Sequence, residues 1–218
     1  MIEPRSLRLL EALPPQCQAE VAQWRSEPHS AEDEVVALRI FTDGSAVLEQ
    51  AGLGKICAHA GWSVVVFGEV RAAGGDPELI FLGAVWGPVV TDPLAVGWLG
   101  AGRPTAPVAE CSAVLVALQL CRVAGCRLPT EVRSDCTHAL AVADGARVST
   151  ELSLARGLRN EAELHRQSAP LRGSWVKGHS GCAANEVADV LAGWGVLGWP
   201  SAVQFRDAVG ADRRPPAR

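Results

Sequence analysis

A single α/β domain whose sheet begins as an antiparallel meander is the fold class this sequence predicts, and three observations predict it. Three β-type runs, at residues 35–41, 61–67 and 79–86, come before any strong helix. From Thr105 onward, helical stretches alternate with short strand-like runs. The chain has 218 residues, 48% of them hydrophobic, which suits one core burying roughly 70% of the unfolded surface. The expected division is a helical or partly disordered appendage over residues 1–34, the domain proper over 35–195, and a disordered tail over 196–218.

Two short helical patterns, at 6–12 and 16–24, are split by Pro14-Pro15 and followed by a polar run to Glu34. They read as an appendage or as the surviving edge of a longer polyprotein. The first strand run ends in Thr42-Asp43-Gly44-Ser45, a common turn composition, and a loop with two glycines leads to the second. Pro107 suits the first turn of a helix that continues almost entirely apolar from Ala109 to Cys121 and stops by Gly125. Such a helix packs centrally against a sheet. Glu110 is its one acid, placed by this reading in the first turn, where the helix dipole favours a carboxylate.

Residues 130–135 form a weak strand pattern and 136–143 a helical one, so a strand-to-helix junction presents Asp135. Residues 151–167 are amphipathic with mixed charge, mostly a solvated face. Then Trp175 to Lys177 reads as a short strand, broken by the turn Gly178-His179-Ser180-Gly181. The following helix carries an apolar stripe, Val187, Val190, Leu191 and Trp194, at i, i+3, i+4, i+7 spacing. Asp189 lies off that stripe, on the side shared with Glu186. No internal repeat is present, and the arginine- and proline-rich end beyond Gly198 has the composition of a disordered tail.

A formal net charge of −4 leaves no broad basic face, so contacts to nucleic-acid phosphates must come from a few placed residues. Seven cysteines are scattered singly without a CxxC pair, which argues against a disulfide framework or a zinc ribbon and points to a reducing intracellular compartment, cytoplasm or nucleus. No apolar run reaches the ~20 residues of a membrane span, and the N-terminus lacks a signal-peptide core, so no membrane partner is expected.

Each acid has an ordinary structural role when taken singly: Asp43 in a turn, Glu110 at a helix start, Asp135 as a strand-end cap, Asp189 on an exposed helix face. Coincidence is the weaker account once all four occur at junctions of an α/β pattern and a Gly-His-Ser-Gly turn precedes the last. Four carboxylates in one pocket repel one another, and divalent cations relieve that repulsion. Oxygen donors without cysteine or several histidines favour Mg2+, with Mn2+ as a substitute, over zinc. Two such ions sharing an aspartate are a recurrent apparatus of phosphodiester hydrolysis.

The segments Ile40-Phe-Thr-Asp43-Gly-Ser, Ala109-Glu110, Arg133-Ser-Asp135, and Trp175-Val-Lys-Gly-His179-Ser-Gly through Asn185-Glu-Val-Ala-Asp189 together resemble a type 1 ribonuclease H over about residues 35–195. The last segment is the most specific. The resemblance implies a ribonuclease H-like fold, a five-stranded mixed sheet (an antiparallel meander, then parallel strands) with helices on both sides. It also implies endonucleolytic cleavage of the RNA strand of an RNA–DNA hybrid with two Mg2+ ions. By that analogy Asp43 bridges both metals, Glu110 and Asp135 hold the one that activates water, and Asp189 completes the other. His179 assists proton traffic or product departure, and Asn185 supports the last turn of the site.

Gly102-Arg103-Pro104-Thr105 resembles the family's phosphate pocket, where an arginine and a threonine grip a DNA-strand phosphate; an ordinary loop is the competing reading. Where the family places two polar amides that read RNA 2′-hydroxyls, this chain has Ala106 and Pro107, and residues 85–102 replace a tight turn with a longer connection. Three functional readings follow. The first is an active hybrid ribonuclease, free-standing or derived from a retroelement; the second is a catalytically idle structural or nucleic-acid-binding module of a reverse-transcriptase polyprotein. The third, another nuclease or transposase of the same fold class, is disfavoured by the Lys177 to Asp189 signature.

Overall fold

Valine and phenylalanine runs that alternate between two buried faces set up the centre of the sheet. In β2 (Gly54–Arg71), Val64 and Val66 face one helical layer with Ile40, while Val65 and Phe67 face the other with Phe41. The computed structural model describes residues 12–24, 35–51, 54–71 and 77–198. β2 pairs antiparallel with β1 (Val35–Ala51) and with β3 (Pro77–Pro88). β4 (Thr130–Ser134) joins β1 in parallel, and β5 (Leu171–Trp175) joins β4 in parallel. The sheet order is β3-β2-β1-β4-β5, the five-stranded mixed sheet that the resemblance implies.

On one face lie α2 (Ala106–Val123), α3 (Thr137–Ala143) and α4 (Leu152–Ser168), whose Val114, Leu118, Val142, Leu154 and Leu158 form one core cluster with Val132 of β4. α2 is apolar and long enough to cross a membrane by composition alone, and most of it is buried in this core. On the other face, α5 (Ala183–Val196) packs Val187 and Leu191 against Phe41, Val65 and Trp86. Two glycines let it come close: a Cβ on Gly61 would meet the backbone of Ala192 and Val196, and one on Gly195 would lie 2.5 Å from the Gly87 carbonyl oxygen.

Four expectations change. Residues 42–45 are not a turn: β1 continues through them, with Asp43 opposite Ser63 and Gly44 opposite Trp62. Strand pairing overrides the turn composition. The strand before the histidine turn, β5, ends at Trp175 rather than beginning there, because residues 171–174 form a mostly exposed edge strand without the apolar alternation that would mark them. Glu110 lies in the second turn of α2, because Ala106 opens the helix with Thr105 at its N-cap. Finally, α1 (Pro15–Trp24) is helical as expected but is not set apart, since Leu13, Cys17 and Val21 are buried in the same cluster as α5. The helical pattern at 6–12, apart from Ala12, and the tail from 199 onward lie outside the described residues.

Candidate active site

The β1–β4 pairing ends at Phe41 opposite Arg133. Two residues farther along come Asp43, still in β1, and Asp135, just past the end of β4, so the parallel pair delivers both carboxylates to the same carboxyl-terminal edge, the usual place for a site in such a sheet. Gly44 then lets α2 approach β1. A Cβ there would collide with the Glu110 amide nitrogen and lie 2.6 Å from the Ala109 carbonyl carbon. Glu110 is thereby seated beside Asp43, and potential ligand oxygens of Asp43, Glu110 and Asp135 all lie within 4.8 Å of one another.

Burial is the largest influence on Asp43, whose pKa is raised to about 8, with the charges of Asp135 and Asp189 adding to it. Asp189, on α5, is near enough for its charge to raise both Asp43 and Asp135, but its own cluster of potential ligand atoms within 4.8 Å is with His179 and Glu186 rather than with the three acids. Glu110 is pushed up to about 9, again by burial first and then by Asp43 and Asp135, against opposing hydrogen bonds from the Gly44 amide and the Ser134 hydroxyl. Asp135, partly buried, is raised chiefly by desolvation. Among the described residues no lysine or arginine forms an ion pair with any of these acids. Glu110 Oε2 is buried without a hydrogen-bond partner. A pocket of mutually repelling oxygens with one acceptor orphaned suits a hard divalent cation.

His179 sits above this pocket on the turn between β5 and α5. A Cβ on Gly178 would run into Asp135 Oδ2, so a side chain there would displace that carboxylate. The imidazole is mostly exposed, with Nδ1 3.9 Å from Asp189 Oδ2 and 3.9 Å from Glu186 Oε2. These distances are too long for hydrogen bonds but short enough for a charged ring to feel both acids. Asn185 is buried, with its Oδ1 unpartnered.

The other expected contacts lie elsewhere. Arg103 is exposed, and its ion pair, at 3.7 Å, is with Glu151 at the start of α4. Thr105 is half-buried at the N-cap of α2 with its hydroxyl unused for capping, while Ala106 and Pro107 are exposed in the first turn. Sequence reasoning passed over Ser134, Gly44 and Glu186. Ser134 is fully buried, accepts the Cys136 amide at 3.0 Å, and acts to lower the Glu110 pKa; nothing in its type or spacing marks it. Glu186 is a buried acid one residue from Asn185, a detectable signal only once that helix face is known to be covered.

No protein-family model and no curated protein matches the sequence. Among solved structures the chain is similar to LC9-RNase H1, a type 1 RNase H with the type 2 active-site motif, at 20% identity and a TM-score of 0.53, with 79% of this chain and 77% of that one covered. It is also similar to a mutant of the prototype foamy virus protease-reverse transcriptase, at 19% identity and a TM-score of 0.50. There, 79% of this chain covers only 22% of the other. At these identities the likeness is one of fold.

Proposed function

With a ribonuclease H-like fold as the premise, we propose that this chain is a metal-dependent endoribonuclease that hydrolyses the RNA strand of RNA–DNA hybrids. The observation that carries the reading is the convergence of Asp43, Glu110 and Asp135, from three separate elements, with the Asp189 charge close enough to act on Asp43. In this reading Asp43 would be shared by two Mg2+ ions, with Glu110 and Asp135 the further ligands for one and Asp189 for the other, and Mn2+ would substitute. The ions supply a nucleophile at neutral pH and charge stabilisation for the leaving oxygen. The chain's own part is to hold four oxygen donors rigidly, from a strand, two helices and a strand end, so that no reorganisation accompanies reaction.

Purified protein with Mg2+ or Mn2+ is expected to cut a labelled hybrid while sparing single strands and duplex DNA. Equal cleavage of duplex DNA, or none of the hybrid, refutes the proposal. The foamy virus likeness motivates a second reading, an idle module within a reverse-transcriptase polyprotein. Hybrid binding without turnover in the same assay would favour it.

His179 works on protons rather than on the ions. His179→Ala is expected to slow turnover within the roughly 10²–10⁴-fold range of general acid–base assistance and to leave Mg2+ affinity unchanged in a calorimetric titration. Asn185, buried on α5, supports the position of Asp189 one turn later.

For substrate, Arg103 and Thr105 contact a phosphate of the DNA strand. Ala106 and Pro107 offer no side-chain partner to a 2′-hydroxyl. Binding then rests on phosphate contacts and the ions, so cleavage is expected to fall steeply as salt rises. Ala106→Asn combined with Pro107→Gln is expected to tighten hybrid binding, as measured by titration at fixed ionic strength. Tight wild-type binding at high salt, unchanged by the pair, would place RNA reading in the 85–102 connection.

A further inference from the structure

The turn that carries His179 is conformationally demanding. His179 itself has φ +49°, the one non-glycine residue with positive φ among those described, and Gly181 has φ +83°. Such a backbone persists only where its surroundings impose it. Here the two main-chain groups of Gly181 are both taken by side chains, from different helices. Its N–H donates to Glu186 Oε1 of α5 at 3.2 Å. Its carbonyl accepts from Cys17 Sγ of α1 at 3.7 Å. Both side chains are buried, at 5% and 1% exposure, whereas the imidazole between the two glycines is 77% exposed. The nearest atom to a Cβ on Gly181 would be Gln16 Nε2 at 3.8 Å, so the first turn of α1 lies directly against the loop. Ser180 Oγ closes the turn from within by donating to the Lys177 carbonyl at 2.7 Å.

We propose that Glu186 and Cys17 are positioning residues for His179: together they clamp Gly181 from two helices and hold the turn in the conformation that keeps the imidazole beside Asp189. The helix α1, which contributes nothing to the carboxylate pocket, thereby acts on the site through the loop. Burial, followed by the Glu186 carboxylate, raises the Cys17 thiol above its ordinary value, which keeps it a donor. The inference rests on the hybrid-nuclease reading for its kinetic consequence, but not for its structural one.

The test uses the full chain with Glu186→Ala and Cys17→Ala beside the rescuing variants Glu186→Gln and Cys17→Ser, each of which keeps a group able to make its bond to Gly181. Amide hydrogen exchange at residues 178–182 is expected to accelerate in both alanine variants and to return toward wild type in the rescues. On labelled hybrid with saturating Mg2+, kcat is expected to fall about 10–10²-fold in the alanine variants, the scale of a misplaced catalytic group, with KM unchanged and recovery in the rescues. The Gln and Ser variants keep side-chain volume, so they also report if an alanine variant fails to fold. Unchanged exchange and unchanged kcat in Glu186→Ala would overturn the clamp. Lost Mg2+ affinity in Glu186→Gln would overturn it too, by making Glu186 a ligand. If wild-type protein cuts no hybrid, the nuclease reading falls, while the exchange rates still decide the clamp.

Discussion

Asp43→Asn is expected to leave no measurable hybrid cleavage and yet to raise the melting temperature of the metal-free protein. Loss of activity follows from its place at the centre of the four acids: charge stabilisation by bound ions is worth several kcal/mol, on the order of 10³-fold or more in rate. The gain in stability follows from linkage. Folded Asp43 keeps its proton up to about 8, whereas an aspartate in the unfolded chain releases it near ~4. Between those values the folded state binds more protons than the unfolded state, so the wild-type, metal-free protein loses stability as pH rises through that window. The Asn variant lacks the Asp43 part of that loss and keeps only what Glu110 and Asp135, also raised by burial, contribute. Melting curves in chelator should therefore coincide near the acid end of the window and separate progressively toward pH 8, with the variant higher. Coincident curves throughout, or normal turnover, would contradict the role given to Asp43.

Gly44→Ala carries the second large effect, by geometry rather than charge. The added methyl would meet the Glu110 amide and lie 2.6 Å from the Ala109 carbonyl carbon and 2.9 Å from the Ala109 Cβ. Backbone cannot swing aside as a long side chain can, so β1 and α2 must separate. Overpacking of this kind costs about 1–3 kcal/mol, and a displacement of about 1 Å between catalytic groups can cost roughly 10²-fold in rate. Both a lower melting temperature and a kcat loss of that order are expected. Gly125→Ala serves as the control, since Gly125 has φ +64° but nothing within 4 Å of its Cβ position. It should lose stability through backbone strain without losing kcat. Similar kcat for the two variants would remove the reason given for Gly44.

How much of this was legible beforehand depends on whether the deciding contact was local. β2 and β3 stand out in the sequence because Val64-Val65-Val66-Phe67 and Ile80-Phe81 are apolar runs that read as strand without knowledge of partners. The four acids stand out because all of them fall at junctions of the α/β pattern and a Gly-His-Ser-Gly turn precedes the last. What was hidden depends on distant chain. Thr42 to Ser45 have turn composition, and only their pairing with residues 61–64 of β2 makes them strand. α1 has a weakly amphipathic sequence, and its burial becomes evident only when α5 and the sheet are in place to receive Leu13, Cys17 and Val21. Glu186 reads as a solvated helix acid until the Gly181 amide, five residues back, is seen to need an acceptor. The general pattern is that side-chain chemistry was readable, while the close backbone approaches at Gly44, Gly61 and Gly178, which seat that chemistry, were not.

The most direct measurement of the central claim is diffraction from Mn2+-soaked crystals, recorded at a wavelength where manganese scatters anomalously. Two ions are expected, both touching a carboxylate oxygen of Asp43, one also held by Glu110 and Asp135 and the other by Asp189. A single ion seated among His179, Glu186 and Asp189, the other cluster whose ligand atoms lie within 4.8 Å of one another, would contradict it, as would crystals that take up no manganese at the carboxylates.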